Sequence, residues 1–197
     1  MLTFAAAVFF LIVTPGPGVL SLAGVGAAFG RRAGLRYLVG LFVGTNLVCL
    51  GVLTGVAATA LADPRIRTVL LVASTAYLLW LAWGIATAGR EIRFTPASHP
   101  PGIRGGLALQ ALNPKAYVVN TTLFTGFAIA PAHPAWEVAV KLAILNAIWM
   151  ALHLGWLWAG IAVQRMDLPP GVQRGVNVGM ATAMVAVVAL AGWAALA

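Results

Sequence analysis

The sequence predicts an all-α membrane protein with six transmembrane helices, arranged as a 3+3 inverted repeat whose helices one and four are broken by proline. Three observations carry this. Of 197 residues, 61% are hydrophobic and 8% charged, against about a quarter charged in an ordinary soluble domain. The apolar residues fall in six runs, several of which reach the roughly 20 residues needed to cross about 30 Å of hydrocarbon. The 16 Asp, Glu, Lys and Arg residues (12 basic, 4 acidic) lie mostly where these runs end. A very apolar soluble bundle would not need runs of that length.

In chain order the runs cover residues 3–29, 35–61, 66–88, 105–130, 135–163 and 176–195. The first is interrupted by Thr14-Pro15-Gly16-Pro17-Gly18 and the fourth by Asn113-Pro114-Lys115. A longer connection, residues 89–104, separates the two halves. Each half thus opens with a broken helix and contains three helices, an odd number, which inverts the second half relative to the first. That is a common plan of secondary transporters. The chain reads as one transmembrane domain over 1–197. Residues 1–13 lack a positive leading segment, so they are expected to form half of the first helix rather than a cleaved signal.

The formal charge of +8 is not a nucleic-acid footprint, because the cations lie at run ends and no basic face accompanies them. They read instead as topology determinants. Arg31, Arg32, Arg36, Arg90, Arg93, Arg104, Arg165 and Arg174 fall in loops one, three and five, whereas Arg65 and Arg67 fall in loop two. Cytoplasmic loops carry the excess of Lys and Arg, so both termini are expected outside. The one cysteine, Cys49, excludes an intrachain disulfide and reads as a small buried hydrophobe.

The candidate chemistry sits at the two breaks. Proline removes a backbone donor and clashes with the preceding turn. The freed carbonyls near Thr14, Pro15, Gly16 and Pro17 are tolerated in hydrocarbon only against protein or a watered cavity. This break either lines a solute site or is a packing kink. At Asn113 and Pro114 the same break recurs, followed by Lys115. A membrane-level cation is by default a functional candidate, although a lysine stem can also snorkel to the interface. Gln110, Asn113, Tyr117 and Asn120, at i, i+3, i+7 and i+10, are expected to share one helical face. On the fifth run Asn146, Trp149, His153 and Trp156 share another. Either stripe lines a pathway or joins helices. Histidine ordinarily titrates near neutral pH, so His153 is either a proton relay or a hydrogen-bonded packing residue. Glu137 and Lys141, four apart, read as an interfacial ion pair. Gly40, Gly44, Gly51 and Gly55 form a small-residue face for close helix packing, with Thr45 and Asn46 beside it as pathway candidates.

No cluster with metal-ligand spacing and no phosphate-binding loop is present, so no metal, cofactor or ATP is expected. An intramembrane enzyme is disfavoured because no nucleophile–base pair is evident. The expected partners are a small-molecule substrate and the lipid bilayer, without nucleic acid; a homo-oligomer is left open. A non-transporting membrane assembly or accessory protein is the competing class.

Four segments resemble the LysE/RhtB-type amino-acid exporters: Thr14-Pro15-Gly16-Pro17, Gly30-Arg31-Arg32-Ala33-Gly34-Leu35, Ala76-Tyr77-Leu78-Leu79-Trp80-Leu81-Ala82-Trp83-Gly84 and Leu112-Asn113-Pro114-Lys115-Ala116. They occur in order, and the likeness covers essentially the whole chain. The resemblance implies an inner-membrane exporter of amino acids or close derivatives, exchanging them for protons. Two positions depart from the family's usual pattern. Gly18 stands where asparagine commonly follows the second proline, and Thr45 where an aspartate commonly follows the glycine of helix two.

Overall fold

The computed structural model describes residues 1–14, 16–87, 100–166 and 168–196; Pro15, Arg90 and Arg93 lie outside them. Over the described residues the chain is helical, without a strand. The helices are α1 (Leu2–Val13), α2 (Pro17–Leu53), α3 (Val56–Ala62), α4 (Pro64–Thr87), α5 (Gly102–Leu112), α6 (Pro114–Thr125), α7 (Pro134–Arg165) and α8 (Pro170–Leu196). By length and composition, Pro17–Leu53, Pro64–Thr87 and Pro134–Val163 are each able to cross a membrane.

Helices α2, α4, α6, α7 and α8 all begin on proline. The first helical position suits proline, whose missing N–H has no partner there in any case and whose φ is already set for a helix. The prolines therefore start helices more than they bend them. The residue before a proline is also pushed out of the α region. Accordingly Thr14 (φ −58°, ψ 121°), Gly16 (φ −153°, ψ 179°) and Asn113 (φ −79°, ψ 103°) are extended.

α2 spans 37 residues, about 55 Å at 1.5 Å per residue. It is not straight: Gly30, at φ 76° and ψ −172°, interrupts it and leaves limbs over 17–29 and 31–53. That left-handed φ is open to glycine at little steric cost. The expected second run, 35–61, is also not one helix. α2 ends at Leu53, where the Thr54 hydroxyl turns back onto the carbonyls of Leu50 (2.9 Å) and Gly51 (3.3 Å). Gly55, at φ 76°, then starts α3.

α2 is the hub and packs on α5, α6, α7 and α8, while α1 lies on α7 and α4 on α8. Tyr37, Leu41, Leu22, Leu109, Leu157 and Ile161 are fully buried between them. The crossings are close. A Cβ on Gly40 would strike the carbonyl oxygen of Ile103, and one on Gly160 the carbonyl oxygen of Ala23. Gly40 and Gly44 thus do the expected packing against α5. Gly51 has no closer neighbour than Ala57 Cβ at 3.8 Å, and Gly55 has none within 4 Å; the expected four-glycine face is half as long, because the helix ends inside it. On the outer side of α2, Val39, Val43, Leu47 and Leu50 form an exposed apolar stripe. Such a stripe is an aggregation liability in water and a natural lipid-facing surface in a bilayer.

Candidate functional site

At the first break α1 stops at Val13, and the Thr14 hydroxyl donates to the Phe10 carbonyl at 2.7 Å. Extended Gly16 leads into Pro17, and the Gly16 carbonyl accepts from Leu20 N at 3.1 Å to open α2. At the second, Asn113 caps α6: its Oδ1 accepts from Lys115 N at 3.1 Å, with Pro114 at the first helical position. Side-chain oxygens at this position satisfy donors the helix start leaves free.

The two breaks meet. Lys115 Nζ donates to the Thr14 carbonyl at 2.6 Å. The lysine stem lies directly over Gly16, where a Cβ would fall 2.9 Å from Cδ and 3.1 Å from Nζ. Beside this contact is a cavity of about 60 Å³, room for a few waters at roughly 10–15 Å³ each. Of the residues singled out in the sequence, Thr14, Gly16, Pro17, Asn113, Lys115, Asn120 and His153 line it. Gly18, Thr45, Gln110 and Trp149 join them, and Leu11, Ile12, Val19, Val119 and Leu145 supply an apolar wall.

The polar groups are mostly tied to one another. Gln110 Nε2 donates to Thr45 Oγ1, and Asn113 Nδ2 donates to Gln110 Oε1 at 3.0 Å. Asn120 Nδ2 donates to Ala116 O at 2.8 Å while its Oδ1 accepts from Cys49 Sγ at 3.1 Å. Cys49 is buried as expected, and it is a donor as well as a hydrophobe. His153 is buried, stacked on Trp149 with ring centres 3.5 Å apart and planes 14° apart. Its Nδ1 lies 2.8 Å from the Trp149 carbonyl. A carbonyl only accepts, so Nδ1 carries a proton, and in the neutral ring Nε2 keeps its lone pair. Nε2 faces Gly18, 3.6 Å from where a Cβ would stand. Among the described lining residues Lys115 is the one formal charge, and none is a carboxylate.

Other candidates lie elsewhere. Pro114 lines a lateral groove between α4 and α6 rather than the cavity. Asn46 is half-buried and forms a reciprocal amide pair with Asn146, 3.0 Å in each direction, joining α2 to α7. Tyr117 leaves the stripe expected with Gln110, Asn113 and Asn120, because the break at Asn113 resets the helical phase. Its hydroxyl donates to Ala111 O at 2.9 Å, and its ring faces the lateral groove. The expected Glu137–Lys141 pair forms at 2.6 Å, with Lys141 buried. Its Nζ also donates to the carbonyls of Phe124 and Phe127, and Glu137 Oε2 accepts from Ala130 N at 2.7 Å. The pair thereby ties the α6–α7 connection to α7.

Gly18, Gln110, Thr45 and Trp149 carry weaker sequence signals. Gln110 and Trp149 belong to polar or aromatic stripes, and Thr45 adjoins a packing glycine. Gly18 is distinguished only by following the second proline.

Comparison with known proteins bears on this arrangement. The family model described as LysE type translocator matches residues 9–191. A protein of Klebsiella pneumoniae subsp. pneumoniae named cysteine/O-acetylserine efflux protein is 35% identical over 166 residues, 82% of each chain. A Salmonella paratyphi A protein of the same name is 31% identical over 158 residues, 78% of each chain. An uncharacterized membrane protein of Pseudomonas aeruginosa is 30% identical over 193 residues, 89% of this chain and 88% of its own. No solved structure matches significantly.

Proposed function

From the premise that the chain belongs to the LysE type translocator family, and is therefore a membrane transport protein rather than an enzyme, we propose that it is a secondary exporter of amino acids or close derivatives working by alternating access. The observation that carries this reading is the meeting of two helix breaks at one cavity, with Lys115 of one bonded to the Thr14 carbonyl of the other. Ion and solute sites of secondary transporters are built from such discontinuous helices near the bilayer midplane. The efflux function named for relatives from Klebsiella and Salmonella supports an amino-acid-like cargo.

The chain is read as six crossings of the inner or plasma membrane. The first is α1 continued by the 17–29 limb of α2, and the second is the 31–53 limb. α4 makes the third, α5 with α6 the fourth, α7 the fifth and α8 the sixth. The broken first and fourth crossings hold matching places in two inverted halves. The arginine bias supports an orientation with the loop at Arg31 and Arg32 in the cytoplasm and both termini outside. The pathway residues are Thr14, Gly16, Pro17, Asn113, Lys115, Asn120 and His153, with Pro15 and Pro114 setting the breaks and Asn46 bracing α2 against α7. Protons are the counter-ion, with His153 as their carrier.

The test is efflux from cells preloaded with individual amino acids, comparing the intact chain with Pro17→Ala and Pro114→Ala at equal membrane abundance. Retained abundance with efflux reduced several-fold supports the reading. Efflux that falls only in step with folded protein makes the prolines structural, and failure to export any amino acid removes the assignment.

A further inference from the structure

Resting on that exporter reading, we infer that the cavity holds its solute in one orientation, with a carboxylate on Lys115 and an ammonium on His153 Nε2 beside Gly18, and so selects α-amino acids of zero net charge. Lys115 Nζ is the formal charge of the described lining and is held by a backbone carbonyl at 2.6 Å. Ammonium groups bond more strongly to carboxylates than to neutral carbonyls, so a solute carboxylate displaces the Thr14 carbonyl. The amide of Asn113 and the hydroxyl of Thr45 are already engaged through Gln110.

The acceptor pole lies a few residues along the same break. Nδ1 of His153 is committed to the Trp149 carbonyl, which leaves Nε2 as an acceptor. Gln110 Oε1, which has a second lone pair beyond the one used by Asn113, converges on the same point. A Cβ on Gly18 would stand 3.6 Å from Nε2 and 3.8 Å from Oε1. The missing side chain leaves space for a donor between two acceptors. One pole donates and carries positive charge, and the other accepts. An α-amino acid presents the complementary pair on adjacent carbons.

The same inventory sets the net charge. A basic amino acid brings a second cation, and the described lining offers no carboxylate to meet it while Lys115 repels it. A small neutral side chain instead meets the wall of Leu11, Val119 and Leu145.

The intact chain reconstituted in liposomes tests this by counterflow of labelled L-cysteine under reducing conditions. The competitors are L-lysine, cysteamine (no carboxylate) and 3-mercaptopropionate (no ammonium). L-Lysine should compete about tenfold or more weakly than unlabelled L-cysteine, the range expected for one unmet charged hydrogen-bonding group. Lys115→Gln should weaken 3-mercaptopropionate and leave cysteamine unchanged, with Lys115→Arg restoring it. Gly18→Ala, whose methyl makes only ordinary contacts, should weaken cysteamine and leave 3-mercaptopropionate unchanged. Lysine competing as well as cysteine, or either variant weakening both analogues alike, overturns the orientation while the exporter reading stands. No wild-type counterflow with any amino acid overturns the exporter reading itself.

Discussion

Adding one methyl group at Gly40 and one at Gly51 should move stability in opposite directions, although both glycines lie on α2. A Cβ on Gly40 meets the carbonyl oxygen of Ile103, its carbon at 2.9 Å and Gly106 Cα at 3.0 Å. All three are α5 backbone, so no rotamer change relieves the clash and the helix itself must shift. Overpacking of this kind costs about 1–3 kcal/mol. At Gly51 the nearest neighbour is Ala57 Cβ at 3.8 Å, an ordinary contact, so the substitution keeps the helical gain of about 0.5–1 kcal/mol for alanine over glycine. Alanine's helical gain is common to both positions, so the two variants should differ by about the overpacking cost, roughly 1–3 kcal/mol. For a chain of this size that corresponds to several degrees in Tm, at about 2–4 °C per kcal/mol. Heating detergent-solubilised protein and following the surviving monodisperse peak reads this directly. Gly40→Ala should melt lower than wild type and Gly51→Ala level or higher. Because α5 carries Gln110 and leads into Asn113, Gly40→Ala should also depress efflux beyond its loss of protein. Equal melting of the two variants would refute the close α2–α5 crossing.

Gly16→Ala should leave the melting temperature nearly unchanged, since the atoms it meets are the flexible end of Lys115, yet cut efflux several-fold; full efflux would show that the Lys115–Thr14 contact is dispensable. For topology, in a Cys49→Ser background, an impermeant thiol reagent added outside should label Ala132→Cys and spare Arg32→Cys, both positions being exposed; the opposite pattern inverts the assigned orientation. Lys141→Met should destabilise less than Glu137→Gln, because the second leaves a buried cation without its carboxylate; the reverse order in thermal melts would show that the lysine, not the pair, holds the α6–α7 connection. His153→Gln, whose amide oxygen can still accept from the solute ammonium but does not titrate, should retain counterflow and lose its dependence on pH, and an intact pH profile would eliminate this residue as proton carrier.

The helical class and the two breaks are legible in the sequence because they rest on local rules. Apolar runs report the solvent, and an X-Pro step in such a run reports a backbone that cannot stay helical. Positions that depend on phase or on long-range neighbours are less legible. Tyr117 sits on the right face of an unbroken helix, and the break at Asn113, between α5 and α6, takes it off that face. Asn46 and Asn146 each look like pathway residues, yet each is the partner of the other across 100 positions of sequence. Gly51 and Gly55 match the spacing of a packing face, but Gly55 serves the turn that ends it. Lys141 reads as one half of an ion pair with Glu137, but its ammonium also meets the carbonyls of Phe124, at the end of α6, and Phe127, in the connection that follows. None of these outcomes has a signature inside a window of one or two helical turns.

Assigning the solute's ammonium to His153 Nε2 also gives the proposed proton exchange a physical form that requires no membrane carboxylate. Nδ1 holds its hydrogen against the Trp149 carbonyl, so the imidazole gains a proton at Nε2. That is the same lone pair the ammonium uses. A protonated ring has nothing to offer the ammonium and adds a second cation opposite Lys115, the one other ionisable side chain in the described lining. Proton and solute are then mutually exclusive on a single atom, the condition an obligate exchanger needs. Thr45 occupies the place of the usual aspartate without leaving a gap in this scheme, because it holds Gln110. That bond orients Gln110 Oε1 toward the same ammonium, so a position where an aspartate would suit proton transfer here serves solute placement.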